Sequence, residues 1–273
     1  MPEGHTIHRA ARDHERALAG QALVVTSPQG RFDTKALLGS AERVTLKRVE
    51  AWGKHLFYVF ARGRTVHVHL GLFGRFHRRT NPAPPPREST RMRLEGEKVT
   101  IDLIGPTACE LVSAKKKAEI LARIGPDPLR DDASPAPFYE YLARSKTPIG
   151  AVLLDQSVIA GVGNVYRAEI LHLLKLHPST AANALSRAEA KAMWRLLVGL
   201  LRRGVEENRI VTTHGVALEI PRKRVPRGES LHVYGRTSCR SCGADVQRFT
   251  QRARTAHVCP TCQPYRHAES PRA

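Results

Sequence analysis

Cys239-Arg-Ser-Cys242, followed after a spacer of sixteen residues by Cys259-Pro-Thr-Cys262, is the stretch that constrains the fold of this chain most strongly. Four thiolates in two Cys-x-x-Cys knuckles supply the tetrahedral ligand set that Zn²⁺ prefers, and a β-hairpin fits the spacer between them. Because the protein would fill every ligand position, the motif predicts one structural zinc ion. Two disulfides are the alternative in an oxidising compartment, whereas a redox Cys-x-x-Cys would be single and close to a βαβ unit. Cys109, the remaining cysteine, is predicted to be a small buried hydrophobe.

The chain is strongly basic, above all around this motif. Its 273 residues contain 44 Lys and Arg against 25 Asp and Glu, a formal net charge of +19. Residues 222–273 hold 11 of the basic residues and 3 of the acidic ones. Such a surplus favours a polyanionic partner, because Lys and Arg displace counterions from phosphates; a genome-wide bias toward arginine is the alternative. We expect the C-terminal segment to face phosphate.

Length and hydrophobicity limit the class of protein. At roughly 100–200 residues per domain, the chain is long enough for about two domains. A hydrophobic fraction of 41% with 25% charged residues excludes a disordered or fibrous protein. The longest apolar runs, such as 196–201, fall short of the ~18 residues of a membrane span, and residues 1–16 lack the apolar core of a secretory signal. We therefore expect a soluble, intracellular protein with no membrane partner.

Hydrophobic periodicity divides the chain into a strand-rich and a helical part. A helix at 9–19 and strands at 44–49, 56–60, 65–70, 91–94 and 99–104, with a proline-rich loop at 81–86, predict a β-sandwich or barrel. A Pro- and Asp-rich connector at 125–137 follows. Helices are then predicted at 148–156 and 165–175, the second with Asn164 as its N-cap. The capping box Ser186-Arg-Ala-Glu189 begins another helix.

The N-terminus carries a possible nucleophile. A small second residue permits removal of Met1, which leaves Pro2 with a secondary α-amine whose pKa is about 7.7–8.0 in unperturbed peptides. A secondary amine condenses with an aldehyde to give an iminium ion, which is an electron sink for covalent catalysis. Glu3 beside it is a candidate general acid/base. The alternative is an inert terminus, since many cytosolic proteins begin Met-Pro.

Two further segments suggest phosphate binding. Gly161-Val-Gly-Asn164 forms a tight turn at a helix start, where small residues and free N–H groups favour an anion. Arg254 lies in Gln251-Arg-Ala-Arg-Thr255, between the two knuckles, where a hairpin tip could meet a nucleic-acid groove. For each segment the alternative is ordinary: Asn caps many helices, and a single surface arginine is usually solvated.

Taken together, the motifs resemble those of the formamidopyrimidine-DNA glycosylase/endonuclease VIII (Fpg/Nei) family, and the resemblance runs from Pro2 to Gln263. Six stretches carry it in the family's order: Pro2-Glu3-Gly4, Trp52-Gly-Lys54-His-Leu56, His69-Leu-Gly-Leu-Phe-Gly74, Arg123-Ile-Gly-Pro-Asp127, Asp155-Gln-x3-Ala-Gly-Val-Gly-Asn-Val-Tyr-Arg167, and the cysteine ribbon that ends in Cys259-Pro-Thr-Cys-Gln263.

The resemblance implies a bifunctional DNA glycosylase and abasic-site lyase. Pro2 would attack C1′ of the damaged nucleotide and Glu3 would act as general acid/base. Lys54 matches the family's essential lysine near the lesion phosphate, and Arg254 matches the residue tied to δ-elimination. The target nucleotide must be flipped out, because an amine cannot reach C1′ inside a stacked duplex. Other matching positions imply DNA contacts: His69, Arg123 and Asn164 at phosphates, and Gly71, Leu72 and Phe73 in the loop that fills the gap left by the extruded base.

The family fold implied by the resemblance is α+β and multidomain. It assigns a catalytic β-sandwich with its N-terminal helix to 1–112, a connector to 113–137, a helical helix-two-turn-helix (H2TH) DNA-binding domain to 138–226, a four-cysteine zinc hairpin to 227–263, and a disordered tail to 264–273. The expected partner is damaged double-stranded DNA, bound by a monomer in the cytoplasm at the nucleoid.

Departures from the family pattern bear on the substrate. Thr6 stands where the family often has Glu, and residues 102–108 lack the Arg-Arg-Phe-Gly stretch of the 8-oxoguanine branch. The absence of that stretch, together with the Pro2-Glu3-Gly4 start, favours the endonuclease VIII branch and oxidised pyrimidines such as thymine glycol, with an 8-oxoguanine or formamidopyrimidine glycosylase as the alternative. Gly71 occupies a position where that branch carries a wedge Gln, so we expect different void-filling chemistry. A non-catalytic zinc-containing DNA-binding protein and a ribosome-associated zinc ribbon are the competing classes.

Overall fold

The computed structural model describes residues 2–213 and 224–265, and the chain divides into two units, Met1–Arg123 and Ile124–Ala273. Most of the predicted disordered tail, residues 266–273, lies outside the described residues. Tyr265 lies within them, and its ring meets the His177 ring edge-on at a centroid distance of 5.3 Å. In the part of the chain that the structure describes, no helix is long and apolar enough to cross a membrane.

The first unit is a β-sandwich with one long helix. Helix α1 (Gly4–Leu18) precedes eight strands: β1 (Ala22–Thr26), β2 (Val44–Trp52), β3 (His55–Phe60), β4 (Thr65–His69), β5 (Arg75–Thr80), β6 (Thr90–Glu95), β7 (Val99–Ile104) and β8 (Ala108–Val112). Short helix α2 (Thr34–Leu38) lies between β1 and β2, and α3 (Ala114–Leu121) follows β8. All strand pairs are antiparallel, in the order β5-β7-β6-β1-β2-β3-β4-β8.

The eight strands form two layers because the middle of the sheet is weakly joined. Strand β1 pairs with β2 only through Ala22–Thr45 and Leu23–Val44, whereas it pairs with β6 over three residues. The half β5-β7-β6-β1 can therefore fold over the half β2-β3-β4-β8, and side chains from both halves form one apolar core. The sequence predicted either a β-sandwich or a barrel, and the structure shows the sandwich.

Helix α1 begins five residues earlier than the sequence predicted. The backbone carbonyl of Glu3 accepts from the N–H groups of Thr6 and Ile7, so Glu3 is the N-cap without a side-chain cap. No Ser, Thr or Asn marks this start, and the cap signal was therefore missing from the sequence. Ile7, Ala11 and Leu18 form the buried stripe that packs α1 onto β2.

The second unit is helical, with a hairpin near its end. Helices α4 (Ala136–Arg144), α5 (Ile149–Val152), α6 (Asn164–Leu173) and α7 (Arg187–Glu207) are followed by β9 (Gln247–Gln251) and β10 (Arg254–Val258). The predicted capping box is present at α7: the Ser186 hydroxyl accepts from Glu189 N–H, and the Glu189 carboxylate accepts from Ser186 N–H. The α7 residues Met193, Leu197 and Leu201 are buried in this unit's core.

Two predicted helix boundaries in this unit are wrong. Helix α5 ends at Val152 instead of residue 156, because the Asp155 carboxylate accepts from Ser157 N–H and forms an Asx turn. Gly163, not Asn164, is the N-cap of α6, and Asn164 is the first helical residue. The Asn164 side chain is thereby free of the capping role, and it bonds a distant strand.

Candidate functional site

The N-terminal pair lies at the positive end of helix α1. Pro2 is half-buried and Glu3 is 0% exposed. Helix N-termini carry a partial positive charge, so this end of α1 is a favourable place for the acidic side chain of Glu3. Behind them, burial lowers the pKa of His5 to about 4. Thr6, in place of the family's Glu, contacts the His5 ring Nε2 through its hydroxyl at 3.3 Å.

Lys54 and His69 lie at the same end of the β3–β4 ladder. Lys54 follows Gly53 in the β2–β3 turn, where the glycine has a φ of +56°, and the next residue, His55, pairs with His69. Burial lowers the pKa of His69, and the charges of His67 and Lys54 lower it further. The structure thus brings together the lysine and the histidine that were predicted to meet phosphate.

The loop between β4 and β5 presents an apolar tip. Leu72 is 44% exposed and Phe73 is 84% exposed, and both are among the few large exposed hydrophobic residues of the described chain. Gly71 has a φ of +64°, and a Cβ at this position would overlap the Thr107 side chain. The backbone N–H of Gly71 donates to His69 Nδ1 at 3.2 Å. Gly71 therefore connects the apolar tip to His69, the residue that was predicted to contact phosphate.

Arg123 is the last residue of the first unit and is exposed in the turn after α3. Its backbone N–H donates to the Ile120 carbonyl at 3.2 Å, which closes that turn. The guanidinium is therefore placed on the surface, as a phosphate contact requires.

In the second unit, the start of α6 is bonded to the hairpin strand that carries Arg254. The side-chain N–H of Asn164 donates to the Thr255 carbonyl at 3.0 Å, and the Arg167 guanidinium donates to the same oxygen at 2.8 Å. Arg254 is half-buried and pairs with Gln251 across the turn. Arg252 and Ala253 at this turn have φ values of +50° and +53°, as a type I′ hairpin turn requires.

A buried carboxylate on α6 holds the segment that leads into the cysteine motif, a role that was not predicted from the sequence. Glu169 is 0% exposed. Its oxygens accept from the backbone N–H groups of His232, Val233 and Tyr234 at 2.7, 2.9 and 2.9 Å, and from the Thr212 hydroxyl. A carboxylate with this many donors can be buried because they replace its water shell. A buried Glu in the middle of a helix was the only available signal.

The four predicted metal ligands converge. The Sγ atoms of Cys239, Cys242, Cys259 and Cys262 lie within 4.8 Å of one another, the one such cluster of potential ligands in residues 2–213 and 224–265. Cys239–Cys262 and Cys242–Cys259 are 3.9 and 3.4 Å apart. Zinc–sulfur bonds of ≈ 2.3 Å in a tetrahedron place the sulfurs about 3.8 Å apart, so the cluster fits a metal ion of this kind.

His172 lies beside the cysteine cluster, whereas the fifth cysteine, Cys109, lies in the other unit. The Nε2 of His172 on α6 is 3.4 Å from Cys239 Sγ, and the His172 ring stacks on His232. Cys109 is not part of the cluster; it is buried in the sandwich, which raises the pKa of its thiol to about 12. The prediction that Cys109 is a small buried hydrophobe is confirmed.

Comparison with known proteins defines the class to which this fold and site belong. The family profile described as the formamidopyrimidine-DNA glycosylase N-terminal domain matches residues 1–105, and the one described as the formamidopyrimidine-DNA glycosylase H2TH domain matches residues 124–215. The chain belongs to the Fpg/Nei family of DNA glycosylases.

Its relatives refine the position within that family. The chain is 42% identical to Endonuclease 8 1 of Mycobacterium bovis, over 96% of this chain and 100% of that protein. It is 32% identical to formamidopyrimidine-DNA glycosylase of Thermus thermophilus, over 96% and 98%. The chain is thus an endonuclease 8 homologue, as the sequence predicted. A crystal structure of Lactococcus lactis Fpg with DNA containing an oxidised pyrimidine is similar, with a TM-score of 0.78, 25% identity, and coverage of 97% of this chain and 100% of that one.

Proposed function

We propose that this DNA glycosylase is bifunctional: it excises oxidised pyrimidines from double-stranded DNA and then cleaves the abasic strand through a Schiff base on Pro2. The observation that carries the proposal is the placement of Pro2 and the fully buried Glu3 at the positive end of helix α1. That placement puts a carboxylate next to the nucleophilic amine, where it can take up the proton that the amine loses. The 42% identity to an endonuclease 8 supports the pyrimidine branch.

The chemistry proceeds by covalent catalysis. The Pro2 nitrogen attacks C1′ of the flipped-out nucleotide, the C1′–N bond to the base breaks, and the base leaves with the bonding electrons and takes up a proton. The Glu3 carboxylate takes the proton that the Pro2 nitrogen loses on bonding to C1′ and delivers it to the sugar ring oxygen. The ring then opens as the nitrogen lone pair forms the iminium ion. The iminium then acidifies the C2′ proton; its loss expels the 3′ phosphate, and a second elimination, assisted by Arg254, expels the 5′ phosphate.

The DNA contacts follow from the positions of the other residues. Lys54, His69 and Arg123 on the first unit and Asn164 on the second would hold backbone phosphates around the lesion. Leu72 and Phe73 would occupy the gap left by the extruded base, because apolar side chains recover part of the lost stacking. Gly71 allows this loop to pass Thr107. The substrate would be damaged duplex DNA bound by a monomer in the cytoplasm.

We propose that the cysteine cluster holds one structural Zn²⁺. Four protein ligands leave no position for water, so the ion would supply folding free energy to the hairpin and no step of the reaction. The proposed domains, in chain order, are a catalytic domain at 1–112, a connector at 113–137, the H2TH domain at 138–226 and the zinc hairpin at 227–263.

Borohydride trapping tests the proposal. The Met1-free protein, verified by intact mass, is incubated with duplexes that contain thymine glycol or an abasic site, and sodium borohydride reduces any Schiff base to a stable covalent product. We expect a covalent band with both substrates, and Pro2→Gly should abolish or severely weaken it. Glu3→Gln should lose base excision from thymine glycol, whereas Glu15→Gln, on the exposed side of the same helix, should retain it. A wild-type protein that binds the duplex but is never trapped would identify a non-catalytic DNA-binding protein.

A further inference from the structure

Two stacked histidine rings lie between helix α6 and the first cysteine knuckle, residues 239–242. His172 is the last residue but one of α6, and its ring centroid is 4.7 Å from that of His232, with the two planes inclined by 20°. His172 is 5% exposed. Its Nε2 lies 3.4 Å from the Sγ of Cys239, 67 residues further along the chain, which is a hydrogen-bonding distance for sulfur. A polar ring is thus buried against a predicted metal ligand, and the proposed reaction gives it no part.

The donor in this bond is His172 whenever Cys239 binds a metal ion. A coordinating thiol is deprotonated, so its sulfur can only accept, and the proton must lie on His172 Nε2. In the opposite arrangement the Cys239 thiol would donate to an unprotonated Nε2, and the ring proton would lie on Nδ1. That nitrogen is buried and has no hydrogen-bond partner among the described residues, so an N–H there would be a buried donor without an acceptor. Burial of Nδ1 therefore favours the same tautomer as metal binding.

Three hydrogen bonds fix the ring on which His172 stacks. His232 Nε2 lies 3.3 Å from the Thr212 carbonyl oxygen, which can only accept, so this nitrogen donates. His232 Nδ1 then accepts from the hydroxyl of Ser241, inside the first knuckle, at 3.0 Å. The backbone N–H of His232 donates to Glu169 on α6 at 2.7 Å. The stack is therefore held both to α6 and to the knuckle, which keeps the His172 ring beside the cysteine cluster.

A metal centre of four thiolates needs hydrogen-bond donors. The four thiolates outweigh the two positive charges of Zn²⁺, and buried negative charge is stable only when donors replace the lost water. Cys259 Sγ accepts from the backbone N–H of Cys262 at 3.4 Å, a donor inside its own knuckle. Cys239 is 2% exposed, and the donor that reaches its sulfur from outside the motif is the His172 ring.

We propose that His172 is a positioning residue for the metal: its Nε2–H donates to the Cys239 thiolate, so that helix α6 slows release of the ion from the cysteine cluster. A donor to the sulfur disperses its negative charge and fixes the orientation of the ligand. Loss of the donor would destabilise the metal-bound thiolate relative to the free thiol, which favours release of the ion. The proposal rests on the proposed zinc site, and it assigns His172 no contact with DNA or with the reacting atoms.

Nuclear magnetic resonance tests the bond directly. The full chain is prepared with ¹¹³Cd in the cysteine cluster and with ¹⁵N-labelled histidine, and His172→Gln assigns the His172 signals. We expect a protonated Nε2 and an unprotonated Nδ1 in His172, with a scalar coupling between the Nε2 proton and ¹¹³Cd that passes through the hydrogen bond and the sulfur. A protonated Nδ1 and a bare Nε2 in the metal-bound protein would overturn the proposal.

The rate of zinc release to a chromogenic chelator measures the consequence. His172→Phe keeps the stacked ring but has no N–H, and it should release zinc about tenfold faster than the wild type, at the lower end of the effect of removing a partner of a metal ligand. His172→Gln restores an N–H donor near the position of Nε2 without the ring, and it should release zinc more slowly than His172→Phe. His77→Phe, the same exchange on β5 of the first unit, should release zinc at the wild-type rate.

The two His172 variants distinguish hydrogen bonding from packing. The donor role would be contradicted if His172→Phe retained the wild-type rate, or if His172→Gln released zinc as fast as His172→Phe. Where His172→Phe does not fold, the spectra of the wild-type protein still decide the question. Wild-type protein that contains no zinc by elemental analysis would instead overturn the proposed metal site.

Discussion

Asn164, the first residue of helix α6, donates its side-chain N–H to the backbone carbonyl of Thr255 in strand β10, 91 residues further along the chain. The contact fixes the identity of the amide atoms, because only the nitrogen can face a carbonyl oxygen. Asn164 Oδ1 is buried and has no partner among the described residues. A residue in the family's glycine-rich turn thereby holds the strand that presents Arg254.

Asn164→Asp should therefore weaken DNA binding by more than the loss of one phosphate contact. The new carboxylate would face the Thr255 carbonyl with no proton to donate, which costs about 1–3 kcal/mol of unfolding free energy, and it would repel phosphate. We expect an increase in Kd of roughly tenfold or more, measured by fluorescence anisotropy with an abasic-analogue duplex. Asn183→Asp, an exposed residue of the same unit, is the control. Equal affinities for the two variants would contradict the coupling.

Removal of metal should unfold the hairpin while leaving the sandwich intact. We expect about one zinc ion per chain by elemental analysis, and a chelator should abolish protection of the β9–β10 amides from hydrogen exchange. Cys259→Ser should lose the metal, because Cys259 is fully buried within the cluster. Cys109→Ala is the matched control: it should keep the metal and lose only about 1–2 kcal/mol of stability from a smaller core side chain. A metal-free preparation with a protected hairpin would refute the assignment.

Glu169 should be essential for the stability of the second unit. Its carboxylate accepts from three consecutive backbone N–H groups, so Glu169→Gln would replace one acceptor oxygen by an NH₂ group that faces a donor. We expect a loss of about 2–4 kcal/mol in unfolding free energy, together with faster proteolysis near residues 230–240. Glu140→Gln, exposed on α4, should differ from wild type by less than about 0.5 kcal/mol. If the urea midpoints of the Glu169→Gln and Glu140→Gln variants were equal, the stabilising role of Glu169 would be contradicted.

Stability should fall as the pH drops from about 6.5 toward 4. His14 is 4% exposed and bonded to the Tyr58 hydroxyl at 2.6 Å, and burial lowers its pKa from 6.5 to about 4. The unfolded chain binds a proton in this window that the folded chain excludes, so the stability is fully present above pH 6.5 and is lost on acidification. For His14 alone the loss approaches about 3 kcal/mol.

Urea denaturation at several pH values checks this prediction. His14→Phe keeps an aromatic ring at the edge-on contact with Phe76 but cannot titrate. The slope of its unfolding free energy against pH should therefore be smaller than that of the wild type, by the equivalent of up to one bound proton. It should also be less stable than wild type at pH 7.5, because the Tyr58 hydroxyl loses its partner. A slope identical to that of the wild type would show that His14 does not exclude a proton.

The sequence predicted local structure correctly where the interacting residues all lie in one short segment. The capping box at Ser186 and Glu189 was predicted correctly, because both partners lie within one helical turn. The cysteine cluster was predicted correctly for a related reason: two knuckles and a hairpin bring their own ligands together. The start of α1 at Gly4 was missed, because Glu3 caps the helix through its backbone, to which residue identity contributes nothing.

The sequence by itself determined the four cysteines of the cluster, the succession of a strand-rich part and a helical part, and the family, since each depends on residue types at short, fixed spacings. The tertiary structure alone decided which distant side chains meet. Asn164 with Thr255, Glu169 with His232–Tyr234, and His67 with Glu110 are contacts across 91, about 64 and 43 residues. Such pairs depend on strand register and on the packing of one element against another. A buried polar group is stable only when that packing supplies its partner, and no local pattern of residues specifies which partner it will be.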